Sequence, residues 1–137
     1  MKKIISILVF FGVAIVFNSC NFSTANITNV KMCTSITDNQ CPADNPVFNT
    51  NTPEIFLSCH LNNAPNDTDV EFAWFYLGQD KIPIDAVVLN SGENIGTLNL
   101  NSSLIRPNNG WPMGNYEVVI TIVGTEKEPI TKSFQVQ

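Results

Sequence analysis

Positive charge is scarce in this 137-residue chain: seven bases stand against twelve acids, with a single histidine. A formal net charge of -5 is repelled by phosphate, which argues against a nucleic-acid partner. Charged residues make up only 14% of the chain, so it lacks the alternating charges of a coiled coil. Its seven glycines show no collagen-like period. Low charge together with many β-branched residues also excludes disorder, because enough apolar surface is available for burial. A C-x2-C pair is missing, and one histidine with scattered cysteines does not make a tetrahedral zinc site, so no metal and no cofactor are expected. A run long enough to span a bilayer is missing as well. The longest, Ile4 to Phe17, has 14 residues where a spanning helix needs about 20.

That run follows Lys2 and Lys3, and the combination reads as a secretory signal. It ends in Phe17-Asn18-Ser19-Cys20, where Ser19 and Cys20 resemble a bacterial lipobox. The resemblance implies a signal peptide over 1–19, a lipid-bearing Cys20 and a tether over 20–26. The domain then covers 27–137. Cleavage would remove two of the seven bases and none of the acids, so attachment would come from acyl chains, at about 0.8 kcal/mol per buried methylene. Asn21 to Asn26 reach no more than about 20 Å, which would hold the domain close to its membrane. Asn21 after Cys20 resembles the outer-membrane sorting choice, so the expected location is the bacterial cell envelope.

The rest of the chain alternates apolar and polar residues between clusters of Asn, Asp, Pro and Gly, and no window carries a helical face. The expectation is an all-β sandwich of about seven strands. They are placed at Ile27 to Thr34, Glu54 to Leu61, Val70 to Leu77, Ile84 to Asn90, Ile95 to Asn101, Tyr116 to Val123 and Ile130 to Val136. Alternation turns Ile55, Leu57, Cys59 and Leu61 inward and His60 outward. Val70, Phe72, Trp74 and Tyr76 form a second inward set, Tyr116, Val118, Ile120 and Ile122 a third, with Phe134 and Val136 completing the core.

Cys59, Trp74 and the Tyr116-Glu117-Val118 start resemble an immunoglobulin-type sandwich, with Val118 where the second core cysteine would stand. Asn109-Gly110-Trp111-Pro112-Met113-Gly114-Asn115-Tyr116-Glu117-Val118 resembles the G-W-P-x-G-x-Y-x-V signature of Ig-like domains in bacterial and archaeal envelope proteins. The resemblance implies a Greek-key fold and says almost nothing about function. With Cys20 set aside, three cysteines remain. Loop entropy favours Cys33–Cys59 over Cys33–Cys41, at about 3.6 against about 2.6 kcal/mol. Geometry favours Cys33 with Cys41: Cys59 belongs to an inward set, whereas Cys41 lies in the polar connection after the first strand.

Candidate chemistry is sparse. His60 has no nucleophile motif beside it, the acids from Asp67 to Asp85 sit at strand ends and turns, and Asp38, Asn39, Asp44 and Asn45 lack EF-hand spacing, so no enzyme is expected. Trp111, with Phe56 and Phe75 if both face outward, is a candidate aromatic platform; alternatively Trp111 plugs the end of the sandwich. The functional expectation is a membrane-anchored, non-enzymatic binding or adhesion module, meeting a protein or glycan partner at the envelope surface and no nucleic acid. The alternatives are a glycan-binding or nutrient-capture accessory using Trp111 and a structural component of an envelope assembly.

Overall fold

A computed structural model describes residues 24–93 and 96–137, so the signal segment, Cys20 and most of the tether lie outside the described residues. Eight strands follow in chain order: β1 (Asn26–Cys33), β2 (Val47–Phe48), β3 (Glu54–Ala64), β4 (Asp69–Leu77), β5 (Lys81–Asn90), β6 (Gly96–Ile105), β7 (Gly114–Ile122) and β8 (Ile130–Val136). They form a three-stranded sheet, β1-β3-β6, and a five-stranded sheet, β2-β8-β7-β4-β5. Neighbours pair antiparallel except β2, which runs parallel to β8. The described residues are all-β, and among them the strand count is eight rather than seven. β2 is two residues long, too short for any alternation to show.

Several strand ends move, β6 running on to Ile105 and β7 starting at Gly114, and two of the shifts have local reasons. The Asn62-Asn63 pair, expected to open a turn, is a bulge that lets β3 continue to Ala64: the register with β6 shifts between Leu61 and Ala64, and Asn63 sits at φ 54°. Asparagine tolerates this left-handed conformation because its short polar side chain bonds locally. β5 begins at Lys81, ahead of Pro83, because an edge strand accommodates a proline that a central ladder would exclude.

Alternation fills the core as expected. Ile55, Leu57, Cys59 and Leu61 of β3 face Val70, Phe72 and Trp74 of β4 and Tyr116, Val118 and Ile120 of β7, all at most 1% exposed. Phe134 stacks on Tyr116 at 4.9 Å between ring centroids and meets Trp74 edge-on at 5.9 Å and Phe48 at 5.8 Å. Such pairs add about 0.5–1.5 kcal/mol each to their burial. Trp74 Nε1 also donates to Ser102 Oγ across the core at 3.1 Å, which ties the two sheets by a polar bond inside the apolar layer.

The Gly110 to Gly114 segment closes one end. Trp111 is 3% exposed, its backbone N–H donates to Thr50 O at 3.0 Å, and its Nε1 donates to Thr52 O at 2.7 Å. Pro112 O accepts the Tyr116 hydroxyl at 2.5 Å, and Met113 O accepts that of Tyr76 at 3.1 Å. Burial, then the neighbouring Tyr76, push the Tyr116 hydroxyl up to about 12, so it stays a protonated donor. Gly110 has φ +79°, and a Cβ there would stand 2.9 Å from Thr50 O. Gly110→Ala therefore forces a left-handed backbone and a clash together. We expect a loss of about 1–3 kcal/mol, read as a lower urea midpoint at unchanged slope. Gly92→Ala, at φ +64° with nothing within 4 Å, should cost less, and equal losses would refute the role given to the Thr50 contact.

Candidate functional site

Charge is divided unequally between the two sheets. β1, β3 and β6 carry one base, Lys31, and one acid, Glu54. The larger sheet carries Asp69 and Glu71 on β4, Lys81 and Asp85 on β5, Glu117 on β7 and Lys132 on β8. Alternation then decides what the outer face of the small sheet presents. With Ile55, Leu57, Cys59 and Leu61 inward, β3 turns Phe56, Ser58, His60 and Asn62 outward, and register places Thr28 and Asn99 on either side of His60.

The result is a field of amides and hydroxyls. Asn62 Nδ2 donates to Thr28 Oγ1 at 2.8 Å, and Asn62 Oδ1 accepts from Thr97 Oγ1 at 3.1 Å, so one side chain bridges β1, β3 and β6. His60 Nε2 lies 2.9 Å from Gln40 Oε1 and 3.4 Å from Asn29 Nδ2. Thr28, Asn29, Thr97 and Asn99 are exposed. This face donates and accepts hydrogen bonds while carrying almost no charge.

A covalent loop covers its other half. Cys33 and Cys41 form a disulfide, as the geometric reading expected, with Cα atoms 5.6 Å apart. The Cys41 N–H donates to Ser58 Oγ at 2.9 Å, leaving Ser58 2% exposed. Farther along, Asp44 Oδ1 accepts the Met32 N–H at 2.9 Å, and Asp44 Oδ2 meets Lys132 Nζ of β8 at 2.6 Å. Partial burial raises the Asp44 carboxyl, but the Lys132 ammonium and the Met32 amide, with Lys31 nearby, lower it more, so it lies below its ordinary value.

The candidate aromatic platform is not assembled. Trp111 is the buried plug already described, Phe56 lies half-buried on the outer face of the small sheet, and Phe75 lies on the outer face of the large one. Lys81 Nζ sits 4.3 Å above the Phe75 ring and bonds Glu117 at 2.6 Å. Alternation correctly turned Phe56 and Phe75 outward, but on opposite sheets. A shallow depression of about 450 Å³ near Val47, Leu77, Asn115 and Gln135 includes none of the three. The neutral face around His60 and Asn62 went unnoticed in the sequence. Its signal was the recurrence of Asn, Thr and Ser at the outward positions of β1, β3 and β6.

No family model matches the chain, and no curated protein matches it. Among solved structures it is similar to the alkylpurine DNA glycosylase AlkC of Pseudomonas fluorescens bound to DNA containing an abasic site analog. The identity is 18% and the TM-score 0.50, over 84% of this chain and 31% of that one. The chain thus spans about a third of that enzyme's length, and the likeness is one of fold. It corrects two expectations. An envelope binding or adhesion module with a protein or glycan partner is not what the match points to, and nucleic acid is not excluded as a partner, since a similar fold occurs in a protein bound to DNA. Net charge averages over surfaces: the strands of the small sheet carry one acid, Glu54, and the other acids lie on the large sheet and in the loops.

Cys59 is 1% exposed, and burial pushes its thiol up to about 12. Only the thiolate attacks electrophiles, so at pH 8 the Cys59 peptide of the folded chain should stay unmodified by iodoacetamide and become modified in denaturant. Labelling of Cys59 in the folded chain at the denatured rate would show that its site is open.

Proposed function

We propose that this chain is a non-catalytic, Ig-like sandwich exported to the bacterial cell envelope, held there by lipid on Cys20, and that its ligand is nucleic acid met on the outer face of the small sheet. The Ig-like reading is supported by Trp74 in the core, the bond from Tyr116 back to Pro112 O, and a lone buried Cys59. The Cys33–Cys41 disulfide supports an oxidising compartment. Lipid attachment rests on Lys2, Lys3, the Ile4 to Phe17 run and Ser19-Cys20.

The observation that carries the nucleic-acid reading is the fold likeness to a glycosylase bound to DNA. The neutral face supplies the chemistry. Amides and hydroxyls contact phosphate oxygens and base edges without the counterion release that many lysines would give. Lys31 is the one base on the strands of that sheet, so binding is weak and its dependence on salt shallow.

Two measurements test these parts separately. Intact mass of the protein from its membrane fraction should match a chain starting at Cys20 plus acyl groups, and Cys20→Ser should lose them; an unlipidated mass in the unsubstituted protein would remove the anchor. For the ligand, anisotropy of a fluorescent duplex oligonucleotide should rise with added protein at low salt. Asn62→Asp, which sets a carboxylate on the neutral face, should weaken this about tenfold or more. Absence of binding at low salt, or equal binding by Asn62→Asp, would overturn the reading.

A further inference from the structure

The larger sheet ends in a strand the smaller sheet does not reach. From Lys81 to Val88 every residue of β5 is exposed, and among the described residues no strand lies on its far side. Ile82 is 49% exposed, Ile84 43%, Val87 37% and Val88 52%. Edge strands are usually guarded by proline, charge or irregularity, because a row of unpaired N–H and C=O groups recruits another chain. β5 is guarded in one half only. Pro83 offers no N–H, Lys81 is held by Glu117, Asp85 carries charge, and the register against β4 shifts between Trp74 and Phe75, leaving Ile84 without an opposite residue. Beyond these, Ala86-Val87-Val88-Leu89 has no charge, no proline and no register shift, and the Asp85 carboxylate accepts the Ala86 N–H at 2.9 Å.

We propose that this open half pairs with the same half of a second copy of the chain, antiparallel about a two-fold axis at Val88. In an antiparallel pair, residues directly opposite share a face of the sheet, so a two-fold axis must set one residue against its own copy. Centring on Asp85 would oppose two carboxylates. Centring on Val88 sets Val88 against Val88, Val87 against Leu89, and Ala86 against Asn90, with no like charges opposed. The faces agree with this register. Val87 and Leu89 pair with Phe72 and Val70 of β4 and so lie on the core side, where two copies bring four aliphatic side chains together. Val88 pairs with Glu71 and lies on the outer side, where it meets its own copy.

Each copy carries a net charge of -5, so approach is opposed by long-range repulsion while contact is apolar. Added salt screens the repulsion and leaves the contact intact, so self-association strengthens as ionic strength rises, opposite to the trend for a nucleic-acid contact. Residues opposite one another bring Cβ atoms within about 5 Å, so position 88 is where a single cysteine reaches its own counterpart.

The test uses the full chain with Val88→Cys, Val87→Cys or Ile105→Cys under mild oxidation. Ile105, at 77% exposure on the other sheet, reports random collision. Cys59 is buried, Cys33 and Cys41 are already joined, and the unsubstituted chain corrects for Cys20. The expected result is a covalent dimer of Val88→Cys that forms well ahead of the other two and faster in higher salt. Val88→Lys supplies the second arm: the new ammonium faces Glu71 within the chain, which favours folding, yet opposes its own copy across the axis. It should keep the unfolding midpoint and sediment at the mass of one chain where the unsubstituted protein sediments at twice that mass. Equal crosslinking at 88 and 105, or an unsubstituted chain that stays at single mass in high salt, would overturn the proposal.

Discussion

Three strands packed against five cannot cover them, and this mismatch in width organises the molecule. The shared core lies where both sheets are present: Trp74, Tyr116 and Phe134 on the large sheet meet Leu57, Cys59 and Leu61 on the small one, and Trp74 Nε1 reaches Ser102 across the gap. Side chains of about 1.5–3 kcal/mol each are placed there, and the aromatic contacts centre on β4, β7 and β8. β5 hydrogen-bonds to β4 and gains little beyond it. Its valines and isoleucines keep a strand sequence without a strand's burial, so the apolar surface left over by the packing is gathered on one edge.

Much of this was legible in the sequence, because alternation depends only on the two-residue period of a strand. The inward sets of β3, β4 and β7 and the burial of Cys59 follow from it, and the inward place of Cys59 leaves Cys33 to pair with Cys41. What alternation cannot supply is the width of the opposing layer. Ile82 and Val87, on the core side of β5, look like core residues in one dimension and lie outside because β1-β3-β6 stops short, while Val88, opposite Glu71, is on the outer face. Trp111 shows the same limit from the other side. Its turn-like flanks favoured a plug and still left exposure open, and the contacts that bury it, Thr50 O and Thr52 O, come from a loop about sixty residues earlier in the chain. β2 was invisible for a simpler reason: two residues have no period.

Charge carries a related lesson. A total of seven bases and twelve acids is a property of the chain, whereas a ligand meets one face. Folding sorts the charges by strand, and pairing register decides which of them share a surface. Glu71, Asp85 and Glu117 go to the large sheet, while the strands of the small sheet keep Lys31 and Glu54 and otherwise expose amides and hydroxyls. Composition constrains the mean field; it does not describe the local one.

The 34–46 loop links these two halves of the structure. Its disulfide anchors it to β1, Cys41 and Gln40 bond to Ser58 and His60 on the small sheet, and Asp44 reaches Lys132 on the large one. The loop therefore does two jobs with one set of contacts. It sets how much of the neutral face stays open, because Ser58 is covered and Asn62 is not, and it bridges the sheets on the side opposite β5. One lateral margin of the sandwich is thus cross-linked by a covalent bond and an ion pair, while the other ends in an uncovered strand. An asymmetry of this kind places any association of the fold at the β5 edge and leaves the disulfide side free to hold the polar face in shape.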